Sequence, residues 1–126
     1  MTSSIFQDFL TERELECEIK KLKKRKSPGP DKVHNEMLQN LGSKAKILLL
    51  KLYNKSWTEG KLPTAWKLAT INPILKKGKK AGEPKSYRPI SLTSSIGKLC
   101  EKILNSRLYW WLESSGLISQ CQAGFR

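Results

Sequence analysis

Two prolines flanking a glycine, in Ser27-Pro28-Gly29-Pro30-Asp31, divide this chain more firmly than any other feature. Proline lacks the N–H that a helix interior needs, and its ring clashes with the preceding turn. These residues therefore form a rigid turn, and the elements on either side of it are separate. Ahead of it, Thr11 and Glu14 make a T-x-x-E capping box, with Leu10 and Leu15 at the staple positions. Leu15, Ile19 and Leu22 follow at helical spacing. The expectation is a helix that opens at Thr11, runs into the basic block at residues 20–26 and stops before Ser27.

Beyond the turn, a short helix is expected over residues 33–41, ended by Gly42. Ser43 can cap the next helix, where Ala45, Leu48, Leu49, Leu52 and Tyr53 form an apolar stripe and Gly60 supplies the stop. After Leu62-Pro63 the pattern turns strand-like over residues 66–75, with Pro73 marking an edge. A basic loop at 76–82 and a returning strand, Tyr87–Thr93, complete a β-hairpin with a long cationic tip. The last helix is the clearest: Ile96, Leu99, Cys100, Ile103, Leu104, Leu108, Trp111 and Leu112 keep one face apolar until Gly116. Gly124-Phe125-Arg126 then ends the sequence without a terminating element, which reads as a chain cut short.

Charge narrows the function. Twenty-four Lys and Arg oppose eleven Asp and Glu, a formal +13 in 126 residues. Residues 1–18 hold five acids against one Arg, so the remaining residues carry +17. A field of that sign favours phosphate backbones over other partners, with binding that weakens as salt rises. No stretch approaches the roughly 20 apolar residues of a membrane span. The opening residues do not form a secretory signal. Three scattered cysteines (Cys17, Cys100, Cys121) and one histidine, His34, make neither a disulfide framework nor a zinc site. The compartment expected is intracellular, nucleus or cytoplasm.

The hairpin carries Lys76, Lys77, Lys79, Lys80, Lys85 and Arg88 on one arm. Arg88 stands apart, because Pro89 fixes the backbone beside it and its guanidinium offers a planar fork to phosphate. Composition alone makes it an exposed arginine at a strand edge. Glu12, Glu14, Glu16 and Glu18 look like a solvated helix face, and Trp57 and Trp66 like packing between helix and strands. Of Trp110 and Trp111, only one can face the core.

A series of blocks resembles the opening of reverse transcriptases, in particular those of non-LTR (LINE-like) retrotransposons. They run, in order, Ser27-Pro28-Gly29-Pro30-Asp31, then Pro63-x-x-Trp66, then Ile71-x-Pro73-Ile74-x-Lys76-x-Gly78, then Ser86-Tyr87-Arg88-Pro89-Ile90-Ser91-Leu92. The helix from Gly97-Lys98 to Arg107-Leu108 and the string Gln122-Ala123-Gly124-Phe125-Arg126 continue the series. Together the blocks cover roughly residues 5–126. Lys32 departs from the pattern, since the family usually has glycine after Pro-Asp, and the turn there is expected to differ.

The resemblance implies roles residue by residue. Arg88 approaches the triphosphate of the incoming nucleotide, and Lys76 with Lys77 lies near nucleotide or template. Gln122, Gly124 and Phe125 border the template, and Lys26 with Ser27 belongs to a block that handles it. The partners implied are an RNA template, a DNA primer and the palm domain of the parent polymerase, with no membrane. Nucleotide addition there uses two divalent metals held by clustered aspartates. This chain has only Asp8 and Asp31 and no Asp-Asp pair, so no catalytic or metal-binding residue is expected. Mg2+ belongs to the complete parent. The fold class expected is α+β, an incomplete reverse-transcriptase fold without its palm. Residues 1–60 form its helical N-terminal segment, and 61–126 the fingers hairpin with the following helix. The alternative is a self-standing basic RNA- or DNA-binding protein.

Overall fold

The computed structural model describes residues 8–116, and Gln122, Gly124 and Phe125 lie outside them. The described residues form four helices and one antiparallel hairpin, the mixed α+β class expected. In chain order these are α1 (Glu12–Lys20), α2 (Asn35–Gln39), α3 (Ser43–Glu59), β1 (Ala69–Leu75), β2 (Tyr87–Thr93) and α4 (Ser95–Ser114). Leu10, Leu15, Ile19, Leu22, Leu38, Tyr53, Leu99, Cys100 and Ile103 make one core, to which α1, α2, α3 and α4 all contribute. Burial pushes the Cys100 thiol up to about 11, so it is an inert core sulfur.

α1 begins as its sequence dictates. The Thr11 hydroxyl accepts from Glu14 N at 3.2 Å, and the Glu14 carboxylate accepts from Thr11 N at 3.1 Å. Its end differs from expectation, because the helix stops at Lys20 instead of running through the basic block. Two amides from the next segment take up the carbonyls left there. Gln39 Nε2 donates to Leu22 O at 3.0 Å and to Ile19 O at 3.4 Å, and Asn35 Nδ2 donates to Lys23 O at 2.9 Å. Arg25, at φ 60°, then turns the chain. The block's cations consequently spread along a loop and not along a helical stripe.

α2 is shorter than residues 33–41, because His34 stands at the N-cap and Asn40 at the C-cap. Gly42, not Ser43, occupies the N-cap of α3, and Gly60 ends that helix at φ 66°. Trp66 lies in a 3-10 turn, Thr64–Lys67, so the strand begins at Ala69. Its ring meets Tyr53 edge-on, centroids 5.7 Å apart, and a Cβ on Gly97 would come within 3.0 Å of it. Trp66 is thus held between α3 and α4 at the root of the hairpin. The Tyr53 hydroxyl donates to Ile96 O at 2.5 Å, closing the same junction.

Of the four α1 glutamates expected on a solvated face, Glu12 is exposed, but Glu14, Glu16 and Glu18 are engaged by other helices. Arg107 grips Glu14 through Nε to Oε2 and Nη2 to Oε1, both at 2.6 Å. The same guanidinium donates to the carbonyls of Asp8 at 2.8 Å and Phe9 at 2.7 Å. Lys46 Nζ reaches Glu16 at 2.9 Å, and buried Glu18 accepts from Ser106 Oγ at 2.6 Å. Helical spacing placed these acids outward, but they face helices far along the chain and serve as ties.

Pro73 sits opposite Pro89 in the hairpin register. Neither can donate, so this is a non-hydrogen-bonded pair, consistent with Lys76 N donating to Ser86 O three positions on. Each outer edge thereby loses a backbone donor at mid-strand.

Candidate nucleic-acid interface

The Pro-Gly-Pro turn is a structural clip as well as a break. Gly29 is buried against the junction of β2 and α4, where a Cβ would collide with the Thr93 carbonyl and come within 2.7 Å of Ser94 N. Asp31 accepts from Ser94 Oγ at 2.6 Å and from Val33 N at 3.0 Å. Ser94 in turn caps α4, its oxygen accepting from Gly97 N at 3.4 Å. Lys32 N donates to Gly29 O at 3.0 Å, which places Lys32 at φ 59°. That left-handed backbone gives a physical reason for glycine at this position.

This clip fixes the loop of residues 23–27 across the hairpin from the start of α4. Between them lies a groove of about 450 Å³. Lys23, Arg25, Lys26 and Ser27 form one wall, and Ser95, Lys98 and Lys102 of α4 form another. Asn72, Ile74, Ile90 and Leu92 contribute the inward face of the hairpin, and Leu22 and Asn35 complete the lining. Five cations and no carboxylate line it. Glu36 lies in a separate depression with Lys20, Lys24 and Lys46. Backbone N–H groups of Glu36 itself and of Arg25 hold its carboxyl below the ordinary value.

Of the residues expected from sequence, Lys26 and Ser27 line this groove. Arg88 is exposed and pairs with Ile74, which puts it on the groove face of the hairpin, nearer the tip. Lys76 extends the ladder through its bond to Ser86, and Lys77 belongs to the turn closed by Lys79 N donating to Lys76 O at 3.1 Å. Gly78, at φ 78°, takes the position in that turn where a side chain would be strained. Lys98 and Lys102 escaped sequence reasoning, although their i, i+4 spacing opposite an apolar face was a readable signal. Trp110 is 61% exposed.

A two-metal centre does not fit these carboxylates. Asp31 is engaged by Ser94 and Val33, and Glu14, Glu16 and Glu18 by Arg107, Lys46 and Ser106. Among the described residues no group of three or more His, Cys, Asp or Glu is placed to hold a metal. Nor, among them, is any helix long and apolar enough to cross a membrane.

A cation-walled groove thus lies beside a cationic hairpin, and over most of its length the chain is similar to known proteins. The chain is 41% identical over 108 residues to the probable RNA-directed DNA polymerase from transposon BS of Drosophila melanogaster, covering 86% of this chain and 12% of that protein. It is 35% identical over 119 residues to the RNA-directed DNA polymerase from mobile element jockey of Drosophila funebris, covering 94% and 13%. Against the probable polymerase from transposon X-element of D. melanogaster it is 38% identical over 101 residues, covering 80% and 11%. Over most of its length the chain is thus similar to proteins named RNA-directed DNA polymerases of non-LTR transposons. It spans about one-eighth of the length of the curated relatives it matches. No family model matches it.

Proposed function

We propose that this chain is the N-terminal and fingers portion of a transposon RNA-directed DNA polymerase, and that its groove holds the sugar-phosphate backbone of the template. The observation that carries the reading is the groove wall, with five cations and no carboxylate. Segment 1–60 supplies the loop side and segment 61–126 the hairpin and α4. The hairpin extends the same face outward, so Arg88 and Lys76 meet the nucleotide's phosphates or the adjoining template, with Lys77 nearby. The family resemblance assigns Gln122, Gly124 and Phe125, which lie outside the described residues, to template contact as well. Primer and palm come from beyond this segment, and so do the aspartates that hold Mg2+ in the parent. The relatives' identity favours this over a self-standing nucleic-acid-binding protein.

Binding of a fluorescein-labelled oligouridine 20-mer, followed by anisotropy, tests the reading. About four phosphate contacts give a log–log salt slope near −3 for a single strand. Affinity then falls roughly 50-fold between 50 and 200 mM salt. Lys98→Glu combined with Lys102→Glu lowers both affinity and slope. A flat salt response, or reversed charges without effect, rules out the groove as the binding surface.

A further inference from the structure

We propose that Ser27 is a phosphorylation site for a proline-directed serine/threonine kinase, and that phosphate there closes the groove to nucleic acid. Ser27-Pro28 is the single Ser-Pro or Thr-Pro step in the sequence. It follows Lys23, Lys24, Arg25 and Lys26 directly. Ser27 is exposed and lies outside helix and strand, so its hydroxyl is open to a kinase from the solvent side. Pro28 biases Ser27 to an extended backbone, the form in which substrate segments bind.

Position makes the modification consequential. Ser27 lines the groove with Lys26, Lys98 and Ser95, the first residue of α4. Two residues on, Gly29 is packed against Thr93 and Ser94, and Asp31 is bonded to Ser94. A phosphate on Ser27 is therefore tethered at the groove and cannot swing far from it. In the transfer, the Ser27 hydroxyl oxygen forms a bond to the γ-phosphorus of ATP. The bond from that phosphorus to the bridging oxygen breaks, ADP leaves, and the hydroxyl proton passes to the kinase's base. The product carries about −1.5 to −2 charge at neutral pH and three acceptor oxygens. It competes for the same lysines that a nucleic-acid phosphate would use, and the start of α4 favours an anion as well. The phosphoserine acts as a built-in stand-in for template backbone.

The inhibitory step rests on the groove reading given above, whereas acceptance of phosphate does not. The test treats the 126-residue chain with a proline-directed kinase and ATP, maps phosphate by mass spectrometry, and measures oligouridine binding before and after. Phosphate on Ser27, affinity about tenfold lower with a shallower salt slope, and recovery on phosphatase treatment are expected. Kinase treatment leaves the affinity of the Ser27→Ala variant where it stood before treatment. Absence of phosphate from Ser27 overturns the site, and phosphate there without loss of affinity overturns the switch. A chain that fails to bind before treatment overturns the groove reading and the switch together, a result distinguishable from either.

Discussion

Replacing Arg107 by Met tests whether one guanidinium ties the two ends of the helical base together. Arg107 donates to both oxygens of Glu14 and to two backbone carbonyls, and its side chain is only 10% exposed. Burial alone would raise the Glu14 carboxyl, but hydrogen bonds from Arg107 and Thr11 outweigh it and hold the group below its ordinary value. Removing one partner of a well-buried pair costs about 3–5 kcal/mol. The Glu14 side chain is 27% exposed, so water recovers part of that loss, and about 2–3 kcal/mol is expected. For a domain of this size the melting temperature drops by about 10 °C or more. Urea denaturation followed by circular dichroism gives the free energy for Arg107→Met, Glu14→Gln and the double variant. Coupling of at least about 1 kcal/mol is expected between residues in such contact. Because the Glu14 pKa is lowered on folding, its contribution is complete above the unfolded value near 4.5 and fades as pH falls through the folded one. The gap between wild type and Arg107→Met therefore narrows on acidification. Additive single effects, or a gap constant down to pH 3, refute the reasoning.

Lys32→Gly relieves a left-handed backbone costing about 1–2 kcal/mol, part of which returns as entropy of the unfolded glycine. A net gain of about 0.5–1 kcal/mol in chemical denaturation is expected, and a loss would show that Lys32 makes a contact that matters. Gly29→Ala forces the turn away from Thr93 and Ser94, with destabilisation of about 2 kcal/mol or more. It also opens the groove, so oligouridine affinity falls even where the protein remains folded, and unchanged affinity would separate the clip from binding.

Features written locally were legible in the sequence. The Thr11–Glu14 box, the glycine stop at Gly60 and the first half of the apolar face of α4, through Ile103, each depend on neighbours within a turn and match the structure, whereas Leu108 further along that face is exposed. What escaped depends on distant residues. Nothing near Glu18 announces Ser106, and nothing near Lys20 announces that Gln39 and Asn35 will take up the carbonyls beyond it. The groove shows the same division. Lys26 and Ser27 were reached through family resemblance, and the partners opposite them, Lys98 and Lys102, needed the fold to bring them near.

The facing prolines of the hairpin bear on how this arm behaves in company. All seven residues of β1 are exposed, including Ile71 at 60%, and a bare apolar ribbon of that kind ordinarily recruits a neighbour's strand. With Pro73 and Pro89 at its midpoint, an incoming strand would find one rung missing on either side. The arm can stay uncovered for a ligand while remaining a poor seed for fibres or exchanged hairpins, so crowding many copies together should not lock them by their edges.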